Sequence, residues 1–397
     1  MSGKTAIVLG GGVGGVVAAS NLRRWLPKED RVVLIERSGR HVFWPSLLWL
    51  MTGTRKAQDV QRDIAALKQP GIDVLKREVT RIDPGTRTVY MGGSYCSITS
   101  RFSGADESLQ GDALVIALGA QLAPDRIPGL SEGGHNFYTV EGAAHLYEDL
   151  LALREGRVVV LIAGVPFKCP AAPYEAAMLI DHLLRKRGVR DRVELEVWAA
   201  EPAPMGVAGP AVSQGVKDLI AEHGIAYHPG KQISKVDAAK GRLHFASGEE
   251  VPFDVLAVVP PHVPPAVAQE AGLTAPGGWV EIDRESCETR FENVFAIGDV
   301  TGVMLAMGKP LPKAGVFAHA QAEAVAKTIA ARWAGKGEEG RFSGNGECFI
   351  ETGSGIAGFA RGNFYAEPAP EVKMFRTGRH WHVAKVAFEK NWWRSWF

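Results

Sequence analysis

Four groups of residues in this 397-residue sequence have the types and spacing to do chemistry. Gly10-x-Gly12-x-x-Gly15 follows the strand-like run Thr5–Leu9 and opens a helical pattern. In that setting Gly10 permits a tight turn, Gly12 lets the backbone approach a pyrophosphate, and Gly15 lets helix and strand pack closely. The pyrophosphate then faces the partial positive charge of a helix N-terminus. Glu36 ends the next strand-like run, about 20 residues past Gly15, where an acid accepts ribose hydroxyls and repels a 2′-phosphate. Gly298-Asp299 closes a later strand-like run, and Pro312-Lys313 precedes a further helix. Cys169 stands beside Lys168 at the start of a helical pattern, two influences that lower a thiol pKa. Cys348 is a second candidate thiol. Each cysteine alone could as well be a small buried hydrophobe.

The elements that must position these residues alternate. Strands are predicted at 5–9, 32–36, 113–117, 158–162, 193–198, 254–259 and 293–297, and helices at 14–26, 57–68, 173–187, 211–223, 314–333 and 380–396. Strands alternating with helices predict α/β architecture with parallel sheets covered on both faces. Two stretches echo each other. One runs from the Gly10 turn to Asp112–Gly119 and the other from Arg157–Gly164 to Asp254–Pro265, after which strand-like sequence and a second Gly-Asp turn return. The pattern predicts two nested Rossmann-like dinucleotide-binding domains of the glutathione-reductase kind: 1–154 with 266–335, then 155–265 inserted, and 336–397 as a C-terminal segment.

Composition narrows the class. Lys and Arg total 45 against 44 Asp and Glu, so the net charge of +1 gives no electrostatic case for nucleic acid. No apolar run reaches the 18 or so residues of a spanning helix, and no secretory signal pattern opens the chain. Four cysteines are too few for a disulfide scaffold at this length. No metal site is read. A cytoplasmic or surface-bound protein is expected.

The second copy departs from the fingerprint. Its turn reads Ala163-Gly164-Val-Pro166-Phe-Lys168-Cys169-Pro170, with one glycine and two prolines that supply no N–H to a phosphate. This argues against a pyridine-nucleotide donor and tips both cysteines toward redox chemistry. Meanwhile Thr289–Asp299 resembles the second FAD motif of two-dinucleotide flavoproteins, in which a strand-end Gly-Asp binds the ribityl chain. That assigns FAD to Gly10, Gly12, Gly15, Glu36, Gly119, Gly298, Asp299 and Lys313, with the helix after Pro312 aimed at the flavin.

Phe167-Lys168-Cys169-Pro-x-x-Pro-Tyr-Glu175, Pro312–His319, Cys348-Phe349 and Val386–Lys390 together resemble sulfide:quinone oxidoreductases over nearly the whole chain. The resemblance implies a flavoprotein that oxidises sulfide to polysulfide or sulfur and passes two electrons to membrane quinone. It implies that Cys169 and Cys348 form the redox pair, one becoming a persulfide while the other thiolate attacks the flavin, and that Glu175 handles protons. A surface salt bridge is the alternative for Glu175. It also implies Phe349 and Phe388 as quinone walls and Lys385 as the polar group at the quinone. Two departures are visible. Val207 stands where several members carry a histidine, and no cysteine follows Gly119–Tyr138, so FAD is expected to be non-covalent, with Cys96 and Cys287 structural.

In the C-terminal pattern Trp381, Phe388, Trp392 and Trp396 fall on one helical face. With the neighbouring basic residues they suit a membrane interface, which predicts a monotopic protein on the cytoplasmic side. Packing on the body or on a partner copy is the alternative. The rivals are the flavin subunit of a flavocytochrome c sulfide dehydrogenase, a type II NADH:quinone oxidoreductase, and a flavin-binding sensor or scaffold without turnover.

Overall fold

A computed structural model describes residues 3–92 and 107–397, together with the backbone of Ser94–Cys96 and Arg101–Ser103; the Cys96 side chain lies outside the described residues. The first copy begins with β1 (Thr5–Leu9), α1 (Val13–Trp25) and β2 (Arg31–Ile35). It continues through β3 (Ile72–Leu75) and β4 (Ala113–Ile116). The second comprises β5 (Gly156–Ile162), α2 (Ala172–Lys186), β6 (Val193–Ala199), α3 (Pro210–Glu222), β7 (Ala226–His228) and β8 (Val255–Val259). The chain then returns to the first copy with β9 (Val294–Ala296) and α4 (Gly315–Ala334).

The first sheet has the order β9-β4-β1-β2-β3, with every pair parallel. The second has β8-β5-β6-β7, extended past β8 by the short parallel strand His135–Asn136. Because β9 pairs with β4, the second unit is inserted within the first, a pair of nested Rossmann-like folds. Continuous β-branched runs such as Val158-Val159-Val160 are buried on both faces, as parallel strands flanked by helices require. Helix α1 packs along α4, where a Cβ at the buried Gly14 would stand 3.5 Å from the Ala318 carbonyl oxygen. A Cβ at Gly15 would stand 1.8 Å from the Gly10 carbonyl oxygen, so the close approach of α1 to the turn after β1 admits no side chain there.

Three findings differ from the sequence reading. Residues 57–68 are not a helix. Gln61–Asp63 pairs antiparallel with Arg40–Val42, and Asp63 caps a short 3-10 turn by accepting the Ala65 N–H, so non-local pairing overrides the local spacing. The C-terminal segment holds an unanticipated antiparallel sheet of β10 (Asn345–Gly353), β11 (Ile356–Asn363) and β12 (Glu371–Gly378) before α5 (Arg379–Trp396). The aromatic stripe of α5 mostly turns inward. Trp392 is buried against His41 and Phe43, and Trp381 stacks on Phe359 with ring centres 4.3 Å apart. Trp396 meets His319 edge-on, leaving Phe388 as the one exposed member of the stripe. The body offers apolar partners along this face, and burying them against protein removes more apolar surface from water than half-immersion does. Among the described residues no helix is long and apolar enough to cross a membrane.

His41 links α5 to the glycine turn. Its Nδ1–H donates to the Gly11 carbonyl at 2.8 Å, and its Nε2 accepts the Trp392 indole N–H at 3.0 Å. Burial lowers its pKa from 6.5 to about 4. The unfolded chain therefore binds this proton near pH 6.5 while the folded chain refuses it until about pH 4. The stabilisation is full above the unfolded value and declines as pH falls through that window, by about 3 kcal/mol. Urea unfolding across the window should show this loss, and His41→Gln should flatten it. A variant with the wild-type slope would contradict the assignment.

Candidate functional site

Both units direct loops toward one continuous cavity of about 1820 Å³, lined by Gly10, Gly12, Glu36, Cys169, Asp299 and Cys348 among others. Its first-copy wall begins at the glycine turn. Gly10 has φ +98, and a Cβ there would stand 2.5 Å from the Ala117 carbonyl oxygen. A Cβ at Gly12 would meet only open space, as would one at Gly119, so the backbone is bare toward the cavity at both. Beyond β2, Glu36 accepts the Gly11 N–H at 2.7 Å through one oxygen and the Ser38 N–H at 2.8 Å through the other.

At the other end of the first sheet, Gly298 takes φ +73 just past β9, and Asp299 follows. The Asp299 carboxylate is buried, and its Oδ1 has no hydrogen-bond partner among the described residues. Burial raises its pKa against the opposing pull of Lys168 and Lys313. An orphaned buried acceptor calls for a donor from outside the chain, and a ribityl hydroxyl meets that need. Lys313 donates to the Asp299 and Thr301 carbonyls at 2.7 and 3.1 Å and lies 3.3 Å over the Trp279 ring. Burial brings its pKa down to about 8. Bare glycine backbone, the Glu36 carboxylate, the orphaned Asp299 oxygen and the α4 N-terminus, all on one cavity, fit FAD.

The second-copy loop crosses to that wall. The Cys169 N–H donates to the Lys313 carbonyl at 2.7 Å, and Tyr138 Oη donates to the Lys168 carbonyl at 2.9 Å. Cys169 itself takes φ +54, a left-handed conformation costly for any residue but glycine. The loop is thus held by contacts with the first copy, and the thiol stands two residues before the α2 N-cap. Cys348 reaches the same cavity from β10 and donates its S–H to the Phe349 carbonyl at 3.3 Å.

The expected acidic thiol is corrected by the surroundings. Burial, then the Glu175 carboxylate, push Cys169 up to about 12, and burial with the neighbouring Cys169 raises Cys348 as well. Lys168 does not offset this: its ammonium lies 3.7 Å over the Trp44 ring, and burial outweighs the pull of Asp299 and Cys169 and takes its pKa down to about 8. Cys287 is fully buried, with its thiol raised by burial.

Glu175 and Lys385 form a buried pair, not a surface bridge. Nζ of Lys385 meets Oε2 of Glu175 at 2.5 Å, and the Glu351 N–H donates to the same oxygen at 2.9 Å. Phe349 and Phe388, 6.3 Å apart between ring centres, line the cavity with them. The structure thus brings Cys169, Cys348, Glu175, Lys385, Phe349 and Phe388 together.

The sequence reading missed Glu201, just past β6. This is where Glu36 stands in the first copy, and comparing the copies strand by strand would have found it. Its Oε1 accepts a hydrogen bond from Tyr174 of α2, and burial pushes its pKa up to about 7.

The pyridine nucleotide-disulphide oxidoreductase family pattern matches residues 4–324. The chain belongs to this family. Among individual relatives, the mitochondrial sulfide:quinone oxidoreductase of Mus musculus is 26% identical over 375 residues, covering 91% of this chain and 78% of that protein. The sulfide-quinone reductase of Aquifex aeolicus is 28% identical over 404 residues, covering 98% and 90%. The X-ray structure of the Aquifex aeolicus sulfide:quinone oxidoreductase aligns with a TM-score of 0.86 at 26% identity, covering 99% of this chain and 91% of that one.

Removing one partner of a buried ion pair strands the other charge. Lys385→Met should therefore cost about 3–5 kcal/mol in denaturant unfolding. The double change Glu175→Leu with Lys385→Met should recover most of that loss. A single variant within about 0.5 kcal/mol of wild type, the range of neutral surface changes, would show that the pair carries no such load.

Proposed function

We propose that this protein is an FAD-dependent sulfide:quinone oxidoreductase that converts sulfide to polysulfide or sulfur through Cys169 and Cys348. The observation that carries this reading is the convergence of two cysteines, from different units, on the FAD-fitting cavity that two aromatic rings and a buried lysine also line. In this assignment 1–154 and 266–335 hold FAD, 155–265 supplies Cys169, and 336–397 supplies Cys348 and the quinone site. Gly10, Gly12, Gly15, Glu36 and Gly119 hold the adenosine diphosphate end, and Gly298, Asp299 and Lys313 the ribityl end, without a covalent link.

In the oxidised enzyme HS⁻ attacks one sulfur of the joined cysteines. The bond between them breaks, a bond to the sulfide sulfur forms, and the other cysteine departs as a thiolate holding the electron pair. Bound FAD supplies a two-electron acceptor that passes the pair to quinone. The departing thiolate needs stabilisation, because burial disfavours it. Lys385 is the cation whose charge opposes that effect at both cysteines. An ammonium has three donors, and Glu175 takes one, leaving Lys385 able to face a quinone carbonyl between Phe349 and Phe388. Glu175 holds a proton with Lys385 at the same wall.

Pro166 and Pro170 remove N–H donors from the turn where a nicotinamide nucleotide would lie. Phe388 and Val383, exposed on α5, give the protein an apolar contact for peripheral attachment to the cytoplasmic face of a membrane.

Anaerobic titration of the yellow protein tests this. Sulfide alone should bleach the flavin, a soluble quinone should restore it, and Cys169→Ser or Cys348→Ser should abolish the sulfide response. Bleaching by NADH alone would favour the NADH-dependent relative. Sulfide reduction that survives both serine variants would end the cysteine-pair mechanism.

A further inference from the structure

The oxidised cysteine pair reacts with HS⁻, yet the mostly apolar lining of the cavity favours neutral H₂S, because desolvating an anion is costly. Something in the cavity must take the proton. Position 207 is a valine, which carries no proton, and Glu175 is committed to Lys385 and the Glu351 N–H. Asp299 lies on the FAD wall.

We propose that Glu201 is the proton acceptor for hydrogen sulfide, generating HS⁻ beside the Cys169 loop. This rests on the cysteine-pair reading above. Strands β5 and β6 are parallel neighbours, and the Ala200 N–H donates to the Ile162 carbonyl at 3.0 Å. The segment carrying Glu201 therefore leaves the sheet alongside the loop carrying Cys169, at the carboxyl edge where ligands of such sheets bind. Glu201 is 9% exposed and lines the same cavity. Tyr174 holds its Oε1, while Oε2 accepts no hydrogen bond and meets no lysine or arginine among the described residues. One oxygen is positioned and the other is open, the arrangement a proton acceptor requires.

The surroundings suit this task. Burial raises the carboxyl to about 7, opposed only by the Tyr174 hydrogen bond. The titratable groups near it are Tyr174 from α2, Tyr227 from β7 and Tyr138 across the cavity, all raised by burial and so neutral at physiological pH. Their charge does not change while Glu201 titrates. The step balances: H₂S gives its proton to the carboxylate, HS⁻ forms a sulfur–sulfur bond to one cysteine, and the other leaves as the thiolate. The cysteine disulfide is the oxidant, and the proposed activity restores it.

The test compares FAD-loaded wild type with Glu201→Gln in anaerobic stopped flow with sodium sulfide. Near pH 7, where H₂S and the Glu201 carboxylate coexist, bleaching of the variant should slow at least about tenfold, toward the range general bases supply. Near pH 9, where HS⁻ dominates, the two should converge. A phosphine reductant, which opens a disulfide without surrendering a proton, should act equally on both. Infrared difference spectra between about pH 6 and pH 8 should show a protonated carboxyl band in wild type that Glu201→Gln lacks. A deficit of equal size at every pH, or no such band, overturns the proposal. If sulfide bleaching is indifferent to Cys169→Ser, the cysteine reading fails instead, and the infrared band is unaffected by that outcome. Should Glu201→Gln not retain FAD, Tyr174→Phe carries the test. Without the hydrogen bond the carboxyl should titrate higher and move the acid limb of the profile upward, and an unmoved limb overturns the assignment.

Discussion

The buried pair of Glu175 and Lys385 is the constraint on which the site depends. Glu175 belongs to the first turn of α2, immediately after the Cys169 loop, and Lys385 belongs to α5. The Glu351 backbone, three residues after Cys348, donates to the same carboxylate. One interaction therefore joins the three segments that carry Cys169, Cys348 and Phe388. Two charges withdrawn from water hold their geometry tightly, because a displaced partner would leave the other unsolvated. Precision of this kind is what two thiols need if a bond between them is to form and break.

The two nested units show how one backbone plan serves two purposes. In the first, bare glycines and Glu36 face the cavity beyond the sheet. In the second, the corresponding turn has given up glycines for prolines and a cysteine, and the carboxylate past the second strand is turned to Tyr174. The sheet still delivers its loops to the carboxyl edge, where parallel sheets bind their ligands. The loop conformation at Cys169 is held from outside, by the Lys313 carbonyl of the first copy. The inserted unit has become a wall of the flavin cavity.

Helix α5 connects the two ends of this arrangement. Trp392 reaches His41, and His41 reaches the carbonyl of Gly11 in the glycine turn, while Lys385, about two turns earlier on the same face, reaches Glu175. The helix that exposes Phe388 and Val383 is therefore fastened both to the pyrophosphate turn and to the cysteine site.

The sequence by itself determined the alternation of strands and helices, the nested repeat, the glycine turn with Glu36, and the Gly298-Asp299 turn. These depend on local periodicity and on backbone conformations that few residue types adopt. It also singled out both cysteines, because the second turn lacks what a nucleotide needs. Only the tertiary structure decided their environment. Whether Cys169 is acidic depends on where Lys168 points and on how deeply the loop is buried, and neither follows from adjacency in the chain. The same holds for Glu175, whose partner lies 210 residues away. It holds for the α5 stripe, since helical periodicity identifies an apolar face without saying whether lipid or protein covers it. The sheet of 345–378 and the pairing of 61–63 with 40–42 arise from contacts between distant segments, which local pattern does not encode. Glu201 was present in the sequence at the expected offset from its strand, but only its open oxygen, facing a shared cavity, gives it a task.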